Sequence, residues 1–246
     1  MDLSGKRIIV TGAATGIGRS AAVEVARRGA RVAAIDIADD PGISTASEIN
    51  NAGGQARYWH VDVADEAAVA GGVAAAEAWM GGIDVLLHAA GILQGAMVNI
   101  EDFPEAIWDR VVDVNLKGAF LFAKHVAPAM RRGRGGAIVL VASGAGVSGG
   151  SSSYAYGSSK GGVHGLAMVL AKRLAADGIR VNDLCPGAIE TPLKVAAEEE
   201  SLRNSGDLQK HYATMASLGA PQGVANVLAF LAGDDADYVR GAIFTR

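Results

Sequence analysis

Short runs of branched apolar residues alternate along the chain with longer segments in which small and apolar residues recur at helical spacing. Residues 7–10, 31–35, 56–61, 83–87, 137–142 and 180–184 read as strands, and 242–245 as a last one. Between them, residues 19–28, 43–51, 67–80, 154–176 and 222–232 read as helices. Pro104 suits the first position of a helix. From there to Met130 the pattern predicts two helical pieces, with Asn115 and Lys117 interrupting an apolar run. Residues 137–142 are continuously apolar and 83–87 nearly so, as suits strands buried on both faces. Strand and helix in alternation predict an α/β fold, a doubly wound parallel sheet with helices on both sides. One domain covering residues 1–246 accounts for the whole pattern.

Half of the residues are apolar, enough for a sizeable core. Net charge is −4, with Lys and Arg scattered among the acids, so no basic face offers itself to nucleic acid or to an anionic membrane. The expected partner is a small molecule. The single cysteine, Cys185, excludes an internal disulfide and reads as a small buried apolar residue. The amino terminus lacks the apolar core of a signal peptide, and no apolar run is long enough to span a bilayer. A soluble, cytoplasmic protein is expected. His60, His125, His164 and His211 show no metal-ligand spacing, so no metal site is predicted.

The first predicted strand runs into Thr11-Gly12-Ala13-Ala14-Thr15-Gly16-Ile17-Gly18 and then a helix. Glycines in such a turn let the backbone approach a pyrophosphate, whose charge is met by free N–H groups and the positive end of the helix dipole. The spacing, Gly-x-x-x-Gly-x-Gly, differs from the commonest dinucleotide fingerprint, but strand and helix flank it as the function requires. The second strand ends at Asp36, where an acid would accept hydrogen bonds from adenosine ribose hydroxyls. A 2′-phosphate would stand against that carboxylate, and no Lys or Arg lies between Gly12 and Gly16 or just after Asp36 to offset it. The expected cofactor is therefore NAD, on a Rossmann-type sheet.

In an open parallel sheet, ligands bind at the carboxyl ends of the strands, where Gly12, Asp36, Asp62, His88 and Ser143 all fall. Tyr156 and Lys160 follow Ser143 on a helix, one turn apart on one face. A nearby ammonium would lower the pKa of a phenol from about 10 toward neutrality, making Tyr156 a proton donor and acceptor for an alcohol or ketone held by Ser143. Tyr154 lies six residues from Lys160, off its face. Residues 191–218, just past a strand end, suit a mobile lid over a substrate, and Glu198-Glu199-Glu200 within them reads as a solvated helix face. Leu93, Gln94, Val147 and Leu193 are expected to line the pocket.

Taken together, the Thr11–Gly18 turn, Asn115 before Lys117-Gly118, Ser143 thirteen residues before Tyr156 with Lys160 four later, and Pro186-Gly187 with Thr191 resemble a short-chain dehydrogenase/reductase of the compact, single-domain type. The resemblance runs from Lys6 almost to the end. It implies a tetrad of Asn115, Ser143, Tyr156 and Lys160. In that tetrad Tyr156 is the acid/base, Ser143 positions the substrate oxygen, Lys160 lowers the tyrosine pKa and binds the nicotinamide ribose, and Asn115 holds a relaying water. It also implies cofactor contacts from Gly12, Thr15, Gly16, Ile17, Gly18, Asp36, Asp62, Val63, Ala89, Gly91, Tyr156, Lys160, Ile189 and Thr191, and a homotetramer packed through the helices around Asn115 and after Tyr156. Two departures stand out. His88-Ala89-Ala90-Gly91 replaces the family's Asn-Asn-Ala-Gly or Asn-Ala-Ala-Gly, with His88 expected to be a hydrogen-bonded packing residue, and the chain ends at Arg246 where relatives commonly continue. The implied activity is hydride transfer between NAD(H) and a secondary alcohol or ketone. A 3-oxoacyl carrier-protein reductase and a non-catalytic NAD-binding regulator on the same fold remain as alternatives.

Overall fold

Apolar runs rich in Val, Ile and Leu form the centre of the molecule, because a sheet covered on both faces can bury them. The computed structural model describes residues 2–245. The strands are β1 (Arg7–Thr11), β2 (Arg31–Asp36), β3 (Gln55–His60), β4 (Val85–His88), β5 (Gly136–Val141), β6 (Ile179–Cys185) and β7 (Gly241–Phe244). All pair in parallel, in the order β3-β2-β1-β4-β5-β6-β7. The order reverses at β1, between β2 and β4, and a cleft opens at such a switch point.

Among the described residues, nine α-helices connect and cover the strands: α1 (Gly16–Arg27), α2 (Asp39–Asn51), α3 (Glu66–Met80), α4 (Glu105–Val112), α5 (Gly118–Arg132), α6 (Tyr154–Leu174), α7 (Pro192–Ser205), α8 (Leu208–Ala216) and α9 (Pro221–Ala232). Alternation along β1 sends Ile8 and Val10 to one face, where Val25, Ile49 and Leu228 from α1, α2 and α9 meet them. Ile9 goes to the other, against the layer holding Val73, Phe122 and Val163 from α3, α5 and α6. Each such side chain contributes roughly 1.5–3 kcal/mol by leaving water. Asp65 caps α3 by accepting from the Ala67 and Ala68 amides (2.8 and 3.2 Å), and Gly81 ends it in a left-handed conformation. Among the described residues, no helix is long and apolar enough to cross a membrane, and no His/Cys/Asp/Glu cluster has the makings of a metal site.

The structure departs from the sequence pattern at several boundaries. The first helix starts at Gly16, three residues before the predicted position, inside the glycine turn itself. The second starts at Asp39 rather than residue 43: Asp39 and Asp40 complement the positive end of the dipole, and Pro41 falls in the first turn, where its missing N–H is not needed. Pro104 is the residue before α4, not its first helical one. The two predicted helical pieces after it are joined by a π-helical turn, Asp113–Lys117, so that α4 and α5 form one continuous rod through Asn115.

Candidate active site

The cleft at the carboxyl ends of the strands has a volume of ≈ 770 Å³. Its floor begins at the turn after β1, which only glycine permits. A Cβ on Gly18 would lie 2.1 Å from the Gly12 carbonyl oxygen, and one on Gly12, where φ is +68°, would lie 2.8 Å from the Ala90 amide nitrogen. Helix α1 starts in this turn with no side-chain cap from Thr15 and no acid in its first turn. Its positive end, at Gly16, Ile17 and Gly18, therefore faces the cleft. Asp36 ends β2 with its carboxylate held by three backbone amides, Ala14 to Oδ2 (2.9 Å) and Ile37 and Ala38 to Oδ1 (2.8 and 3.0 Å). The side chain is thereby fixed at the cleft wall. Asp62, Val63, Ala89, Gly91, Ile189 and Thr191 line the same cleft with Thr15. An anion-accepting helix end fits the pyrophosphate of a dinucleotide.

At the other end, β5 delivers Ser143, whose Oγ accepts from the Ala145 amide (3.1 Å). The loop after it is pressed onto α6: a Cβ on Gly146, where φ is +83°, would lie 2.0 Å from the Gly157 carbonyl oxygen. That contact sets Ser143 against Tyr156. Ser153 caps α6, its Oγ accepting from the Tyr156 amide (3.3 Å). Withdrawal from water pushes the Tyr156 phenol up, and its hydrogen bond with Ser143 opposes the rise. The expected lowering of Tyr156 by Lys160 is not found. The Lys160 ammonium lies 5.8 Å from the Tyr156 ring centroid and donates to the Val141 carbonyl (2.6 Å). Its own pKa falls to about 8 because burial penalises its charge. Tyr156, Ser143 and Lys160 all open on the cleft.

Asn115 stands just behind the cleft wall. Its Nδ2 donates to the Ile92 carbonyl and to Ser159 Oγ (both 2.9 Å), and its Oδ1 accepts from the Ile92 amide (2.8 Å). Both amide donors are used, so the side chain has only a remaining Oδ1 lone pair for the expected water. What it does is fix the segment after β4: a Cβ on Gly91 would sit 3.2 Å from Asn115 Oδ1 and 3.4 Å from Lys160 Nζ. His88 is buried beneath this segment. Its Nδ1 shares a hydrogen bond with Thr11 Oγ1 (3.0 Å), its ring packs against Phe122, and burial, reinforced by the Lys160 charge, pushes its pKa down to about 3. It is a neutral imidazole.

Of the four expected lining residues, Leu93 and Leu193 line the cleft. Val147, half-buried, packs against the core instead, and the Gln94 carbonyl accepts from Ser153 Oγ (2.6 Å). Residues 191–218 form α7 and α8, both ends tied together where the Glu190 amide donates to the Gly219 carbonyl (2.8 Å) and the Gly219 amide to Ala188 (2.9 Å). The acidic run is not simply a solvated face: Glu198 pairs with Lys194 at the cleft, and Glu200 Oε1 accepts from the Gly95 amide (3.1 Å). Arg110, Met97 and Lys210 line the cleft without having been singled out in the sequence. They carry no local motif; only the tertiary fold brings them there.

The profile of the short chain dehydrogenase family matches residues 6–202. The chain is 39% identical over 241 residues to cis-4-hydroxycyclohexanecarboxylate dehydrogenase of Sinomonas cyclohexanicum, covering 96% of this chain and 92% of that one. It is 36% identical over 243 residues to the 3-oxoacyl-[acyl-carrier-protein] reductase FabG of Thermotoga maritima, covering 99% and 96%. Levodione reductase, a solved structure, superposes with a TM-score of 0.91 at 30% identity, over 98% of this chain and 95% of that one. The chain belongs to the short-chain dehydrogenase family.

Proposed function

We propose that this oxidoreductase moves a hydride between NAD(H) and a secondary alcohol or ketone, using Asn115, Ser143, Tyr156 and Lys160. The observation that carries the reading is that Ser143, Tyr156 and Lys160 open on the same cleft as the glycine turn and Asp36. When bound, the nicotinamide supplies or accepts the hydride. Gly12, Thr15, Gly16, Ile17 and Gly18 hold the pyrophosphate, and Asp36 takes the adenosine ribose. Asp62, Val63, Ala89, Gly91, Ile189 and Thr191 complete the cofactor's cradle, while Lys160 takes the nicotinamide ribose. Ser143 Oγ fixes the substrate oxygen, and Tyr156 Oη gives or takes its proton. Asn115 keeps Ile92 and Gly91 in register with Lys160.

NAD rather than NADP follows from Asp36: a 2′-phosphate would stand against a carboxylate that three amides hold in place. Leu93, Met97 and Leu193 favour a substrate with an apolar part. A 3-oxoacyl thioester is a second candidate, favoured by the Thermotoga maritima relative. Residues 191–218 serve as the substrate lid of a single-domain enzyme. We read the chain as a cytoplasmic homotetramer; exposed Phe120 on α5 and Met168 and Val169 on α6 supply apolar surface for subunit contacts. Nucleotide reduction with a panel of secondary alcohols, in wild type and Tyr156→Phe, tests the activity. Turnover should fall by about 10²–10⁴-fold in the variant while NADH binding persists. Unchanged turnover would sink the reading, and NADH binding without any turnover would favour a regulator.

A further inference from the structure

The roof helix α7 spans the cleft. Its start lies over the cofactor turn, where a Cβ on Gly16 would be 3.1 Å from Thr191 Cγ2. Its far end reaches the loop after β4: Glu200 Oε1 accepts from the Gly95 amide (3.1 Å), and Asn204 Nδ2 donates to the Ala96 carbonyl (2.8 Å). That loop is fastened in turn to the start of the catalytic helix. The Met97 amide donates to the Ser152 carbonyl (2.7 Å), holding Met97 at φ +60°, a left-handed conformation that non-glycine residues rarely adopt. Ser153 Oγ donates to the Gln94 carbonyl (2.6 Å) and accepts from the Tyr156 amide (3.3 Å). Ser153 is buried, so these bonds have no ready substitute in water.

We propose that Glu200 and Ser153 are positioning residues at the two ends of a relay, Glu200–Gly95–Gln94–Ser153–Tyr156, through which seating of the roof helix sets the first turn of the helix that carries Tyr156. Each link is a hydrogen bond or one peptide step. Gly95 and Gln94 are adjacent, so a shift of the Gly95 amide toward Glu200 moves the Gln94 carbonyl that Ser153 holds. A roof that is not seated on Gly95 leaves Ser153 and Tyr156 loosely set, and proton transfer waits for closure. The inference rests on the acid/base role of Tyr156 for its kinetic consequence, but the relay itself is a property of the folded chain.

The test is a double-mutant cycle between Glu200→Ala and Ser153→Ala in the full chain, read by amide hydrogen exchange over residues 153–160 and by kcat/KM. Glu200→Ala should raise exchange at the Tyr156 amide and lower kcat/KM about tenfold, as for loss of one hydrogen bond to a charged group. The double variant should fall no further than Ser153→Ala alone. Glu200→Gln, whose amide oxygen can still accept from Gly95, should keep exchange at the wild-type level. Unchanged exchange at residues 153–160 in Glu200→Ala would overturn the relay. So would effects of the two single changes that multiply in the double variant, or a Glu200→Gln variant that exchanges as fast as Glu200→Ala. Because exchange is measured without substrate, it decides the relay even if no alcohol or ketone is turned over.

Discussion

Replacing His88 with Asn should remove most of a specific acid sensitivity. Burial and the neighbouring Lys160 charge hold the folded-state pKa of His88 at about 3, against an ordinary value of 6.5. Between those values the unfolded chain binds a proton that the folded protein does not. Stability is therefore fully present above pH 6.5 and declines as pH falls toward 3. At about 1.4 kcal/mol per pH unit, the loss between pH 7 and pH 5 comes to roughly 2 kcal/mol. Asn cannot titrate, so the variant lacks this pH dependence. It carries instead a pH-independent offset from the lost packing on Phe122 and the altered bond to Thr11. Lys160, near 8, and Glu24, near 2, lie outside the window, and every other group is common to both proteins. Urea unfolding of both at pH 7, 6 and 5, at one protein concentration, should show the stability difference between them shifting by about 2 kcal/mol in favour of the variant. Parallel curves would mean that His88 protonates as readily in the folded protein as in the unfolded chain, and the buried-imidazole account would fail.

Three further outcomes follow from the same geometry. Asp36→Ser should weaken NAD about 10–100-fold, the worth of a hydrogen bond to a charged group, and narrow the preference over NADP, as titrations with both nucleotides would show. Gly18→Ala forces a Cβ to within 2.1 Å of the Gly12 carbonyl oxygen, so the turn must open; NADH binding measured by fluorescence should be lost. For Lys160 the shift is downward, so the unfolded chain holds a proton that the folded protein releases between pH 8 and 10.5. This group makes the fold more stable as pH rises through that range, and Lys160→Met should flatten the slope of stability against pH there.

The sheet was readable from the sequence where burial on both faces leaves apolar runs, as in β1, β2 and β5; Thr11 and Asp36 stand where the first two stop, and Ser143 lies two residues past the third. The glycine turn was readable for a similar reason, since Gly18 and Gly12 approach too closely for any other residue. Features that depend on long-range partners were not. Nothing near Asp113 announces a π turn; the turn accompanies an Asn115 amide bonded to Ile92 and Ser159, 23 and 44 residues away. Glu200 belongs to an acidic run that reads as solvated, and its bond to Gly95, 105 residues distant, exists only once α7 crosses the cleft. Ser153 could have been found, being a serine immediately before a helix, but its second bond, to Gln94, could not. The expected effect of Lys160 on Tyr156 failed because helical spacing brings the two side chains to one face without directing the ammonium. That group turns to the Val141 carbonyl.

The most direct test of hydride transfer follows the hydrogen itself. A secondary alcohol found active in the panel, deuterated at its carbinol carbon, would be incubated with the protein and NAD, and the reduced nucleotide analysed by mass spectrometry. The account predicts one deuterium in each reduced nicotinamide formed by the wild type, and almost no reduced nucleotide with Tyr156→Phe. Reduced nucleotide without deuterium, or deuterium transfer at an undiminished rate in Tyr156→Phe, would contradict it.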